Sequence, residues 1–233
     1  MILRNAWLQR LLGGGAAERL GIRMASLLEY ASLRAHKDPD VLQHIRRSRW
    51  KRKTLVTFNE AYMVNSLAAS VAGMPGDLAE VGVYEGSTAR LLCEQKGDAA
   101  LHLFDTFEGL PAGVLKSEQV MYRPHQYSCS LESVQEFLSD FADVHFYKGY
   151  FPDSAASLPA GRRFSFVHFD VDLYQSTLDC LKFFYPQMLP SGIMLSHDYS
   201  ILEGVRQAFT EFLTDKPENL IELPTTQCML VKR

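Results

Sequence analysis

The sequence predicts an α/β sandwich built on a mostly parallel sheet of seven strands, with an antiparallel hairpin at the C-terminal edge. Three observations carry this. From Asp77 onward, apolar runs of strand length alternate with segments of helical period, the pattern of strand–helix–strand units. Residues 164–169, FSFVHF, are apolar or aromatic nearly throughout, as a strand buried on both faces should be. The tail offers two short runs, NLIEL and QCMLVK, joined through Pro224-Thr225-Thr226, which read as a hairpin.

Taken in order, residues 2–12 and 16–34 read as helices separated by Gly13-Gly14-Gly15. Ile2, Leu3, Trp7, Leu8, Leu11 and Leu12 can share one face of the first, with Arg4 and Arg10 outside it. Asp38-Pro39-Asp40 opens a third helix, which runs into the basic stretch RRSRWKRK. Residues 57–72 read as a helix stopped by Gly73-Met74-Pro75-Gly76. DLAEVGV is then the first strand, GSTARLLCEQ a helix and ALHLFD the second strand. A long loop from Thr106 to Tyr127 precedes the helix SLESVQEFLSDF and the third strand, VHFYKG. Loops of that length inside a domain are usually lids or disordered, and Phe107, Tyr122, His125 and Tyr127 favour a lid. FSFVHF is the fourth strand and LYQSTLDCLKFFYP its helix. Ser191-Gly192 make a turn before the fifth strand, in IMLSHDYS, and EGVRQAFTEFLTD is the last helix.

Composition narrows the function. The chain has 233 residues, 47% hydrophobic and 22% charged, with a net charge of −3, which argues against bulk nucleic-acid binding. The charge is uneven: residues 1–53 hold 12 Lys and Arg against 4 Asp and Glu, a net of +8, and the remaining 180 carry −11. This divides the chain into a basic helical arm over 1–53 and a ligand-binding domain over 54–233. The arm is expected to pack on the domain or on a second subunit, making a homo-oligomer; contact with a membrane surface is the less favoured reading. Cys93, Cys129, Cys180 and Cys228 are scattered, with no metal or disulfide spacing. No apolar run reaches the roughly 18 residues of a membrane span, and the first residues lack the apolar stretch of an export signal. A reduced, cytoplasmic setting is expected.

In an open parallel sheet, ligands bind outside the carboxyl ends of the strands. The first strand ends in AEVGVYEGSTA, with Glu80, Gly82 and Gly86 spaced E-x-G-x-x-x-G. Glycines let backbone approach a ligand, and the following helix start offers free N–H groups. The spacing is not the dinucleotide G-x-G-x-x-G. An acid beside the loop suits a cationic ligand such as the amino group of S-adenosylmethionine. Asp105, ending the second strand, could accept both ribose hydroxyls of a nucleoside; a turn residue is the plainer reading. Glu80, Gly82, Gly86, Ser87, Asp105 and Phe107 are the expected cofactor contacts. The fourth strand breaks into Asp170 and Asp172, and the fifth ends in His197 and Asp198. If those strands are neighbours, the four residues meet at one crevice, as a metal and general-base site. Were 170–172 extended, both aspartates would point to the same side. His168, one step inside the strand, reads as a core histidine, and Tyr174, Ser176 and Thr177 as caps of the following helix.

These motifs resemble the macrocin O-methyltransferases, S-adenosylmethionine-dependent and Mg²⁺-dependent sugar O-methyltransferases. The resemblance runs over about residues 57–233. It lies in Glu80-x-Gly82-Val83, Asp105-x-Phe107-x-Gly109-Leu110-Pro111, Lys148-Gly149-x-Phe151, Asp170-x-Asp172-Leu173-Tyr174-x-Ser176-Thr177 and Asp198-Tyr199. It implies a Rossmann-like class I methyltransferase fold. It further implies metal binding at Asp170 and at the pair His197-Asp198, and a general base at Asp172. Two departures stand out: His197 occupies the first place of a pair of metal aspartates, and Glu85-Gly86-Ser87 replaces an arginine-glycine-glycine. The imidazole opens the site to Mn²⁺ or another ion besides Mg²⁺. Three readings compete: O-methylation of a sugar or glycosylated small molecule, the same chemistry on a catechol-like diol, and a non-catalytic cofactor- or partner-binding domain.

Overall fold

The computed structural model describes residues 10–11, 16–50, 52–123 and 125–233. The expected first helix and the Gly13-Gly14-Gly15 break fall mostly outside these residues, as does Lys51 of the basic stretch.

Strands β1 (Asp77–Val81), β2 (Leu101–Asp105), β3 (Val144–Lys148), β4 (Phe164–Phe169), β5 (Met188–Ser196), β6 (Ile221–Glu222) and β7 (Cys228–Val231) form one sheet in the order β3-β2-β1-β4-β5-β7-β6. The first five are parallel; β7 runs antiparallel to β5, and β6 to β7. The strand order reverses between β1 and β4, the place where open α/β sheets leave a crevice. β4 and β5 are neighbours, with Phe169 opposite Ser196, so the residues that follow them emerge side by side.

Eight α-helices are found among the described residues: α1 (Ala16–Arg34), α2 (Pro39–Trp50), α3 (Phe58–Ser70), α4 (Ser87–Gln95), α5 (Lys116–Met121), α6 (Leu131–Phe137), α7 (Tyr174–Phe184) and α8 (Glu203–Phe212). One sheet face packs Val167, Phe169 and Met194 against Leu178 and Leu181 of α7 and Val205 and Phe209 of α8. The other packs Leu78, Leu103 and Leu195 against Val64 of α3, Leu92 of α4 and Val134 of α6. All six residues of β4 are buried, and a buried Phe contributes about 1.5–3 kcal/mol. Leu33, Leu42 and Ile45 of α1 and α2 share a further cluster with Val56, Phe58 and Leu91. The described part of the basic arm thus packs on the domain.

Three local details differ from the sequence reading. The 106–127 loop contains α5, too short to leave a periodic signal. Ser191 and Gly192 lie within β5 rather than ahead of it, at an irregularity in its pairing with β4. The cap of α7 comes from far away: Glu118 Oε1 accepts the Tyr174 N–H at 2.6 Å, and the Thr177 hydroxyl instead bonds the Leu173 carbonyl. A helix start satisfies its free N–H groups with whichever acceptor the fold brings up.

Candidate active site

At the carboxyl ends of β1, β2, β4 and β5 lies a cavity of about 760 Å³. Its floor is the β1–α4 turn. Gly82, at φ +84°, sits so close to the chain after β4 that a Cβ would lie 2.0 Å from the Asp170 carbonyl oxygen. Only glycine permits that approach, so the glycine loop and the acidic loop form one wall.

Asp105 fastens this turn. Its Oδ2 accepts the N–H groups of Val83 (2.7 Å) and Tyr84 (2.9 Å), and its Oδ1 that of Phe107 (2.7 Å). A carboxylate offers about four acceptor positions, and three are taken. The expectation that Asp105 accepts both ribose hydroxyls is therefore corrected: one position is left.

Gly82 and Ser87 also line the cavity, and the Ser87 hydroxyl bonds Thr54 Oγ1 at 3.0 Å. Gly86 backs onto α6, where a Cβ would meet Val134. Phe107 is buried in the core under α4 and α6, outside the cavity lining. Glu80 is fully buried and does not reach the cavity either. Strand alternation turns it with Leu78 toward the α3 side, where its Oε1 lies 2.8 Å from His168 Nδ1. His168 is thus a core histidine, as read, but one paired to an acid. Glu80 Oε2 and His168 Nε2 have no hydrogen-bond partner.

The four residues after β4 and β5 do converge. One ligand atom from each of Asp170, His197 and Asp198 lies within 4.8 Å of the others. His197 Nδ1 is 3.2 Å from Asp198 Oδ1 and 3.7 Å from Asp170 Oδ1. His197 is 6% exposed, and neither ring nitrogen makes a hydrogen bond. Such a nitrogen between two carboxylates is a donor set that fits a divalent ion. Asp172 lines the same cavity, but the alternation argument for it fails. β4 ends at Phe169, and Asp172 adopts φ +60°. A turn, not an extended strand, delivers it, and the Tyr122 hydroxyl donates to its Oδ1 at 3.2 Å.

Electrostatics mark the acids as poised. Burial, opposed by His197 and aided by Asp198, lifts the Asp170 carboxyl to about 6. Burial, with Asp198 and Asp170 beside it, pushes Asp172 well above the usual carboxylate range. Burial alone would lower His197, yet Asp170, Glu60 and Asp198 raise it well above an ordinary imidazole. Four of the eight non-glycine residues at positive φ among the described residues, Tyr84, Tyr127, Asp172 and Asp198, line the cavity. Strain of this kind collects at functional sites.

Sequence reasoning missed two contributors. Ala17, Gly21, Ile22 and Ala25 of α1 form one side of the cavity, so the arm also shapes the site. Glu60, 3% exposed on α3, approaches His197 Nε2 at 3.4 Å. The available signal was Thr57-x-x-Glu60, a capping box, which announces a helix start and not a site.

A sequence profile of the macrocin O-methyltransferase (TylF) family matches residues 56–227. The 8-demethyl-8-(2,3-dimethoxy-alpha-L-rhamnosyl)-tetracenomycin-C 4'-O-methyltransferase of Streptomyces olivaceus is 32% identical over 169 residues, 66% of this chain and 63% of that protein. The mycinamicin III 3''-O-methyltransferase of Micromonospora griseorubida is 30% identical over 158 residues, 60% of this chain and 61% of that protein. The match therefore spans less than two thirds of these relatives' own lengths. Among solved structures, the O-methyltransferase NovP shares the fold, with a TM-score of 0.68 and 23% identity over 77% of this chain and 81% of that one.

Proposed function

Since the chain belongs to the macrocin O-methyltransferase family, we propose that it transfers the methyl group of S-adenosylmethionine to a hydroxyl of a sugar in a glycosylated small molecule. The observation that carries this is the meeting of two sets in one cavity. A glycine turn fastened by Asp105 provides for the cofactor, and a histidine and three aspartates at two strand ends provide for a metal and a base. The Streptomyces olivaceus relative acts, by name, on a rhamnosyl-bearing product, which favours a sugar over a catechol-like acceptor.

Gly82, Ser87 and the remaining acceptor position of Asp105, all lining the cavity, would hold the cofactor. Asp170, His197 and Asp198 would hold a divalent ion. Such an ion, when bound, lowers the pKa of an acceptor hydroxyl and fixes its orientation. S-adenosylmethionine, when bound, would supply the methyl group and leave as the neutral thioether, and Asp172 would accept the proton that the acceptor hydroxyl gives up. The Tyr122 hydroxyl holds the Asp172 carboxylate toward the reacting centre, and α1 closes one side of the cavity against water. The stripe Leu20, Met24, Leu27 and Leu28, 59–75% exposed on α1, supports a homo-oligomer, which light scattering reads directly. The four free thiols suit a reducing compartment.

The test is calorimetry with S-adenosylmethionine, with and without divalent ions, followed by mass spectrometry of a panel of glycosylated acceptors and catechols. Cofactor binding and a single added methyl on a sugar hydroxyl, abolished by chelator, are expected. Absence of cofactor binding overturns the reading. Transfer to catechols alone moves it to the aromatic class.

A further inference from the structure

His197 stands where the family resemblance calls for an aspartate, and the fold has surrounded it accordingly. The ring lies at the end of β5, buried, with Nδ1 turned to Asp198 and Asp170 and Nε2 turned away from them. On the Nε2 side, Glu60 is the one carboxylate within 4.0 Å among the described residues. Glu60 is held from two other elements. Its Oε2 accepts the Thr57 N–H at 2.7 Å, closing the capping box of α3, and its Oε1 accepts the hydroxyl of Thr226, from the β6–β7 turn, at 2.6 Å. The Gln227 amide reaches the Glu60 carbonyl at 3.5 Å. Neither His197 nitrogen has a hydrogen bond, although the residue is 6% exposed.

A neutral imidazole carries one N–H and one lone pair. The nitrogen that meets an acid through its proton leaves the other free to bind a metal, and a carboxylate behind the ring fixes that choice. We propose that Glu60 is the positioning residue of a carboxylate–histidine–metal triad: it accepts a hydrogen bond from Nε2–H, presents the Nδ1 lone pair beside Asp170 and Asp198, and makes a nitrogen–oxygen site for Mn²⁺, Fe²⁺, Co²⁺ or Zn²⁺ in preference to Mg²⁺. Mg²⁺ favours oxygen ligands and keeps several waters, whereas imidazole suits the later first-row ions. The inference rests on the metal-assisted reading above and deepens it. Its content is the donor atom, the residue that sets it and the resulting ion preference.

The experiment uses the full chain, stripped with chelator and reloaded with Mn²⁺ or Mg²⁺. Affinities come from calorimetry, and the ligands of bound Mn²⁺ from pulsed electron paramagnetic resonance. Imidazole coordination gives ¹⁴N modulation, and a carboxylate-only site gives none. In the unaltered protein we expect ¹⁴N modulation and tighter binding of Mn²⁺ than of Mg²⁺. Glu60→Ala should weaken Mn²⁺ binding by about 10–100-fold, the usual weight of such a partner, and change Mg²⁺ binding less. Because Glu60 also caps α3, Glu60→Gln is measured beside it; the amide keeps an acceptor for Nε2–H and should retain most of the Mn²⁺ affinity. His197→Asp should abolish the modulation and shift preference toward Mg²⁺. Mn²⁺ bound without ¹⁴N modulation, with affinity untouched in Glu60→Ala, overturns the triad and leaves the metal-assisted reading standing. No binding of either ion overturns that reading and the triad together.

Discussion

Asp172 and Glu218 are both acids in the crowded fringe of the same sheet, and the fold treats them in opposite ways. Glu218 is 4% exposed and surrounded by donors: the Tyr185 hydroxyl at 2.6 Å, Lys232 Nζ at 2.9 Å and the Arg233 N–H at 3.1 Å. Burial alone would raise its carboxyl, but these bonds hold it down to about 2. Asp172 receives one phenol, and with burial, Asp198 and Asp170 around it the carboxyl is pushed well upward. An acid whose oxygens are all answered is an anchor, here for the end of β7. An acid left among other acids stores an unmet demand for a proton or a cation. The location of unmet demand, more than the number of charged residues, separates the cavity edge of this sheet from its structural edge.

The largest expected effect comes from Asp172→Asn. Methyl-transfer turnover should fall by roughly 10²–10⁴, the worth of a general base. The melting temperature of the metal-free protein should not fall, because burial and the neighbouring acids already disfavour the charge that the amide lacks. A clear loss of stability with turnover intact would put Asp172 in the same class as Glu218. The converse change, Glu218→Ala, should cost about 1.5–3 kcal/mol in denaturant unfolding, the range for hydrogen bonds to a charged group, and leave turnover per folded molecule unchanged. Reduced turnover there would dissolve the distinction.

Asp105→Ala tests an acid between the two classes, satisfied by N–H groups yet lining the cavity. Freeing the Val83, Tyr84 and Phe107 N–H groups should weaken S-adenosylmethionine by about 1–3 kcal/mol in titration, with divalent-ion affinity unaffected. Equal cofactor affinity would make it a purely structural tie.

The smallest effect is in pH. Glu218 has a folded pKa below its unfolded value of 4.5. Its contribution is therefore complete above about 4.5 and drains away as pH falls toward about 2. Unfolding followed between those limits should show a steeper loss in the unaltered protein than in Glu218→Gln. Parallel curves would mean that its three donors do not act as the distances indicate.

The order of strands and helices was legible in the sequence, as was the arrival of Asp170, Asp172, His197 and Asp198 at one edge on the condition, met by the fold, that β4 and β5 are neighbours. They depend on local signals: an apolar run such as FSFVHF needs burial on both faces wherever it lies, and residues just past parallel strands share one edge by construction. Tertiary structure alone decided which atoms answer which. Glu60 meets Thr226 across 166 residues, and Glu80 meets His168 across 88. Neither pairing leaves a mark in spacing, because nothing local distinguishes a carboxylate that caps its own helix from one that also braces a distant ring. The same holds for Asp105, whose type suggested a ribose and whose neighbours filled it with backbone N–H groups. It holds too for Asp172, which a left-handed turn, not strand alternation, carries into the cavity. Hydrophobic periodicity is set by each segment's own need to be buried. Polar satisfaction depends on the partners folding brings within about 3 Å, and only the assembled chain supplies them.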